Sequence, residues 1–172
     1  MSAEKQEPRL DTLDVEIQCP VKTRVLGVMR AFASSVAEQM GFDDEARDQI
    51  EMAVDEACAN VVRHAYKHLG VSPDLPADER RNELLADCNF KMRVAFSNEL
   101  LEITITDHGI GVDNKPPGAN SVEEFESRGG HGGLGVFIIR NFMDEAEYET
   151  MAEGGTKLVM RKYLRPAGAS AE

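Results

Sequence analysis

Asp55-Glu56-Ala57-Cys58-Ala59-Asn60-Val61-Val62-Arg63-His64 decides how the chain folds. Within a helix over about residues 43–66, Ile50, Val54, Ala57 and Val61 fall on one stripe at the 3.6-residue period, and such a stripe must face a core. Glu56 and Asn60, spaced i and i+4, stack on the flank of that stripe. A carboxylate and a carboxamide therefore stand at the rim of a buried surface. Asp55 and Glu51 point the opposite way and read as solvated charges.

Outward from this helix, Asp43-Asp44-Glu45 puts acidic residues at its start, where the helix dipole favours them. Upstream, Val25, Val28, Met29, Phe32 and Val36 recur at helical spacing over about residues 21–40, with Gly41 as the stop. Before them Leu13, Val15 and Ile17 alternate with Asp14, Glu16 and Gln18, a half-buried strand ended by Pro20. After Tyr66 the character changes. Residues 67–88 carry Gly70, Pro73, Pro76 and Asp78-Glu79-Arg80-Arg81, and read as a surface insertion with one short helix near Glu79 to Ala86.

Phe90 to Phe96 and Leu100 to Thr106 alternate about the turn Ser97-Asn98-Glu99, an antiparallel hairpin. Residues 112–131, with Pro116-Pro117-Gly118 and glycines on both sides, have the make-up of a mobile lid. Val136, Phe137, Ile138, Ile139 and Phe142 predict a largely buried helix. Two last strands, about residues 146–151 and 157–163, are joined by Glu153-Gly154-Gly155. This order predicts an α/β two-layer sandwich, a mixed and mostly antiparallel sheet with its helices on one face. One domain over residues 11–164 is expected, between a flexible start (1–10) and a disordered tail (165–172) rich in Ala, Gly, Ser and Pro.

The 172 residues are 42% hydrophobic, enough for one core. A formal charge of −12 argues against nucleic acid, which needs clustered Lys and Arg. It points instead to a basic protein surface, or to a small ligand whose charge a metal ion screens. Met1 to Asp11 has no apolar signal core, and no run approaches the ~18 apolar residues of a membrane span, so the chain reads as cytoplasmic. Cys19, Cys58 and Cys88 are odd in number and lack CxxC pairing, which predicts reduced, buried thiols. Met29, Met143 and Met160 read as core filler. His64 and His68 are spaced i and i+4 but have no third ligand in view, so a zinc site is not expected; His64 is assigned to a helix-end or phosphate-side role, and His108 to the surface.

Gly132, Gly133, Leu134 and Gly135 open a helix, and a glycine loop there presents unpaired N–H groups and the positive dipole end to a phosphate. Gly130, Gly132 and Gly135 also spell G-x-G-x-x-G, but the preceding Val122-Glu123-Glu124-Phe125-Glu126 is no buried strand and only 37 residues follow Gly135, so a dinucleotide domain is rejected. A Gly-Lys-Ser/Thr phosphate loop is absent. Asp107-His108-Gly109-Ile110-Gly111 supplies a second half: a strand-end carboxylate accepts from the exocyclic amine of adenine, selecting ATP over GTP, and the glycines let a flat base approach.

The ordered set Glu56-x-x-x-Asn60, Asp107-x-Gly109-x-Gly111, Gly133-Leu134-Gly135 and Gly154-Gly155-Thr156 resembles the four boxes of the Bergerat-type ATPases. Asp55-Glu56-Ala57-x-x-Asn60 and Asn141-Phe142-Met143-Asp144-Glu145 are most similar to the bacterial anti-sigma factor serine/threonine kinases, over roughly Leu13 to Leu164. The resemblance implies that Glu56 is the general base or orienter of the attacking hydroxyl, and that Asn60 binds Mg²⁺ bridging the phosphates. Asp107 would hold adenine with Gly109 and Gly111 passing under it; Gly132, Gly133, Leu134 and Gly135 would line the phosphates, and Thr156 would complete the base pocket through the aspartate. Such chemistry is coherent, because phosphoryl transfer relies on positioning and charge neutralisation. Where such kinases commonly carry an arginine before the glycine box, this chain has His131, with Arg128 as a substitute for the terminal phosphate.

By resemblance, then, the expectation is an ATP- and Mg²⁺-dependent serine/threonine kinase that captures an RNA polymerase sigma factor and phosphorylates an anti-sigma-factor antagonist. A homodimer is implied, through the sheet face or the edge near Leu13 to Ile17. Two rivals are a non-catalytic nucleotide-binding interaction module, which His131 favours, and a detached histidine-kinase ATPase domain. Against the second, no histidine lies upstream of the Glu56 helix.

Overall fold

Among the described residues, alternation of apolar and polar residues builds five strands: β1 (Leu13–Pro20), β2 (Asn89–Ser97), β3 (Leu100–Asp107), β4 (Glu145–Thr150) and β5 (Thr156–Tyr163). The computed structural model describes residues 12–70, 83–110 and 134–165. The expected lid over 112–131, the start at 1–10, the tail past residue 165, Gly111, Arg128, His131, Gly132 and Gly133 lie outside them, as does the first half, residues 79–82, of the predicted helix near Glu79. Among the described residues the strand order is β1-β2-β3-β5-β4 and the four ladders are antiparallel, as the mostly antiparallel expectation has it, with no parallel pair among them. The β2–β3 hairpin turns through Asn98 and Glu99 at φ 51° and 64°. Positive φ at both positions matches the twist of a two-residue hairpin, and Asn tolerates it better than Glu.

Among the described residues, α1 (Leu26–Met40), α2 (Asp44–Asn60) and α3 (Leu134–Phe142) cover one face, with α2 packed against both others. Gly41 at φ 89° ends α1, its N–H reaching the Ala37 and Glu38 carbonyls. The Asp43 carboxylate then caps α2 by accepting from the Ala46 N–H at 2.8 Å. The predicted stripe of α2 is buried, and Ala53, Cys58 and Ala59 are buried with it. A helix enclosed by two neighbours and a sheet buries a wider arc than a surface helix. Fully burying a side chain such as Ile50 or Val54 is worth about 1.5–3 kcal/mol. They meet Phe90, Met92 and Val94 of β2 and Ile103 of β3 in one core. Cys19 and Cys58 are free and buried, Cys88 is partly so, and Met29, Met143 and Met160 fill the core.

Three expectations change, the first being that α3, read as largely buried, fully buries Ile139 alone among its residues. Val28, counted in the apolar stripe of α1, is 61% exposed, and the regular helix begins only at Leu26, after a 3₁₀ turn over Thr23–Val25. Glu51 and Asp55 are more than solvated charges, because both pair with Arg30 of α1, at 3.2 and 3.6 Å, across the helix pair.

The opposite face of the sheet carries charge in columns. Asp14 and Glu16 of β1 pair with Arg93 and Lys91 of β2, and Glu102 of β3 pairs with Arg161 of β5, which also reaches Glu145 and Glu147 of β4. Lys162 instead turns to the helix side, where its ammonium donates to the Phe142 carbonyl at 2.6 Å and to Gln49 at 2.7 Å. It thereby satisfies a C-terminal carbonyl of α3 and joins that helix to α2.

Candidate functional site

At one end of the sheet four segments meet: the end of β3, the start of β5, the end of α2 and the start of α3. Asp107, the last residue of β3, is 4% exposed. Burial pushes its carboxyl above the usual range, against the hydrogen bonds it accepts from Gly109 and from the N–H and hydroxyl of Thr156. The Gly109 N–H lies 2.8 Å from Oδ1. This carboxylate is therefore a fixed acceptor in a poorly hydrated place.

Backbone approaches as close as these require glycine. A Cβ on Gly155, at φ 94°, would stand 2.0 Å from the Asp107 carbonyl oxygen. A Cβ on Gly109 would stand 2.0 Å from the carbonyl oxygen of Ala65, whose own oxygen accepts from the Ile110 N–H at 2.9 Å. The requirement for glycine at 109 thus comes from the helix beside it, where sequence reasoning had invoked the base. After Asn60 the helix widens into a π turn over Val61–Ala65, a departure often found at functional sites, and it is this turn that meets the loop.

Glu56 and Asn60 both project, half-buried, toward the first turn of α3. A Cβ on Gly135 would lie 2.6 Å from the Glu56 carboxylate and 3.5 Å from the Asn60 amide nitrogen. The glycine box and the Glu56–Asn60 flank, 75 residues apart in sequence, are therefore in contact. A carboxamide and a carboxylate offer the hard oxygen donors that Mg²⁺ prefers, and the space left by the missing Cβ keeps them clear, so the chemistry of these residues would suit such an ion. Leu134, just before Gly135, is 48% exposed at the mouth of this contact.

His64 is on the surface, where partial desolvation and then the cations of Lys67 and Arg63 hold its pKa below the ordinary value. Its neutral form therefore prevails near pH 7. His108 is exposed, as expected. Among the described residues no three His, Cys, Asp or Glu side chains gather as a metal cluster, and no helix is long and apolar enough to cross a membrane. Sequence reasoning passed over Tyr66 altogether. Its hydroxyl lies between the Asn89 carbonyl and the His108 N–H, partners 23 and 42 residues away, and no local pattern announces such a bridge.

The family described as the histidine kinase-like ATPase domain matches residues 19–162. A protein named serine-protein kinase RsbW from Bacillus pumilus is 30% identical over 159 residues, covering 90% of this chain and 88% of that protein. Proteins of the same name from Bacillus licheniformis and Bacillus subtilis are 29% and 26% identical, each over 154 residues, 87% of this chain and 85% of theirs. Among solved structures, the RsbU and RsbW domains of a Mycobacterium tuberculosis protein superpose with a TM-score of 0.54 at 16% identity, over 90% of this chain and 34% of that one. That likeness is one of fold.

Proposed function

The chain belongs to the histidine kinase-like ATPase domain family, and on that premise we propose that it is an ATP- and Mg²⁺-dependent protein serine/threonine kinase acting as an anti-sigma factor. One observation carries the reading: a buried carboxylate at Asp107 and a half-exposed Glu56–Asn60 pair stand at the same end of the sheet, the pair against the first turn of α3. The names of the relatives support the reaction.

In this proposal Asp107, held by Gly109 and Thr156, accepts the adenine amine and fixes the base. Gly109 and Gly111 lie beneath the ring. The phosphates run toward Gly132, Gly133, Leu134 and Gly135, with Arg128, His131 and His64 on the phosphate side. Bound Mg²⁺, with Asn60 as its protein ligand, supplies charge neutralisation on the phosphates. Glu56 aligns the acceptor hydroxyl and takes its proton as the serine oxygen bonds to the terminal phosphorus and the bond to ADP breaks. The domain is assigned to residues 11–164, with 67–88 an insertion and 112–131 a lid.

The acceptor belongs to a small anti-sigma-factor antagonist, and the sigma factor is the second partner. A net charge of −12 suits capture of a basic, nucleic-acid-binding protein. The setting is the cytoplasm, and the protein acts as a homodimer. Transfer of labelled phosphate from ATP to a serine-bearing antagonist tests the reaction. Glu56→Ala is expected to abolish transfer while ATP affinity stays within a few-fold; a fully active Glu56→Ala protein would rule out its role.

A further inference from the structure

Beyond Asp107 three successive amides are each held. The His108 N–H donates to the Tyr66 hydroxyl at 3.2 Å, the Gly109 N–H to Asp107 at 2.8 Å, and the Ile110 N–H to the Ala65 carbonyl at 2.9 Å. Two of these acceptors are consecutive residues at the close of the π turn that follows α2. The Tyr66 hydroxyl in turn donates to the Asn89 carbonyl at 2.9 Å, at the start of β2, and the residue is 8% exposed. One phenol thus joins the sheet, the loop after β3 and the helix that bears Glu56 and Asn60.

We propose that Tyr66 is a positioning residue for the nucleotide: its hydroxyl holds the loop that follows Asp107 in the base-reading arrangement and ties that arrangement to the transfer helix. It rests on the nucleotide reading above. Tyr66 does not act on the phosphates. Without the hydroxyl, the His108 N–H and the Asn89 carbonyl lose a common partner in a partly buried place, which carries a desolvation cost. The loop then occupies its binding arrangement for a smaller fraction of the time, and apparent affinity falls by that fraction. A merely structural tyrosine would lower the melting temperature and leave nucleotide affinity alone.

The test is Tyr66→Phe in the full chain, followed by calorimetric titration with Mg-ATP, turnover at saturating ATP, thermal melting and amide hydrogen exchange. The expected result is a Kd raised about tenfold, turnover within twofold of wild type, and faster exchange at the His108 amide while the Ile110 amide stays slow. A folded Phe variant with unchanged Kd overturns the proposal, as does a fall in turnover at unchanged Kd. Should Tyr66→Phe not fold, exchange in the wild-type chain decides: a protected His108 amide supports the proposal and an unprotected one overturns it. A wild-type chain that binds no ATP defeats the nucleotide reading itself, whereas wild-type binding with an unaltered Phe variant defeats only the role of Tyr66.

Discussion

Asp107 is 4% exposed and is gripped by donors from Gly109 and Thr156, whereas Glu56 and Asn60 stand half-open on the flank of α2, facing a helix start. The base side is made of backbone packed on backbone, with carbonyl oxygens of Ala65 and Asp107 where Cβ atoms would otherwise sit. The side proposed for transfer is made of side-chain tips. Reading a base rewards rigidity, because each wrong hydrogen bond leaves a buried group unpaired. An acceptor hydroxyl arriving on another protein needs room, so the groups that meet it cannot be enclosed in advance.

This contrast is most sharply broken by alanine at two glycines. Gly109→Ala would drive a methyl into the Ala65 carbonyl, an atom of backbone that cannot swing aside. Loss of measurable ATP binding is expected, with destabilisation of about 3 kcal/mol, read by calorimetry and by denaturant unfolding. Gly135→Ala would meet chiefly the Glu56 carboxylate, the far end of a flexible side chain. Its melting temperature and ATP affinity should stay close to wild type while transfer falls on the order of 100-fold, the typical cost of misplacing a reacting group. If both variants lose binding and stability alike, the two halves are not built differently.

Acidification gives the smallest and most specific effect. The folded-state pKa of Asp107 lies above its unfolded value, so its contribution to stability is fully present below the unfolded pKa and is lost as pH rises through the folded one. The adenine contact proposed for it needs the charged form and has the opposite dependence. As pH falls through the raised pKa of Asp107, ATP affinity is expected to weaken at a pH above that at which an ordinary aspartate, near 3.9, takes up its proton. Asp107→Asn should remove that step from a pH series of ATP titrations; a step that persists in the Asn variant would assign it to another group.

Local pattern carried the elements. Alternation marked β1, β2 and β3 because each has one covered and one open face, and the stripe of α2 was plain for the same reason. Which strands are neighbours was not legible, since β5 lies between β3 and β4 and nothing in residues 156–163 names its partners. The pairing of Arg30 with Glu51 and Asp55 escaped notice because a charge on a helix reads as solvated until the adjoining helix is known. At the site, Asp107, Glu56 and Asn60 stood out by residue type and position, and Gly135 by its box. Tyr66 did not, and the Ala65 carbonyl that demands glycine at 109 did not either, because both depend on contacts between segments more than 40 residues apart.

The ammonium of Lys162 holds the last carbonyl of α3, while Gly135 at the other end rests on a carboxylate tip. A rod tethered at one tip moves most at the other when it tilts. Over the nine residues of α3, about 13 Å at the usual helical rise, each degree of tilt about that tether displaces Leu134 by roughly 0.2 Å. Small rotations at the far side of the domain are thereby magnified beside Glu56 and Asn60, and cutting the tether at Lys162 would loosen that lever without touching any residue of the proposed nucleotide site.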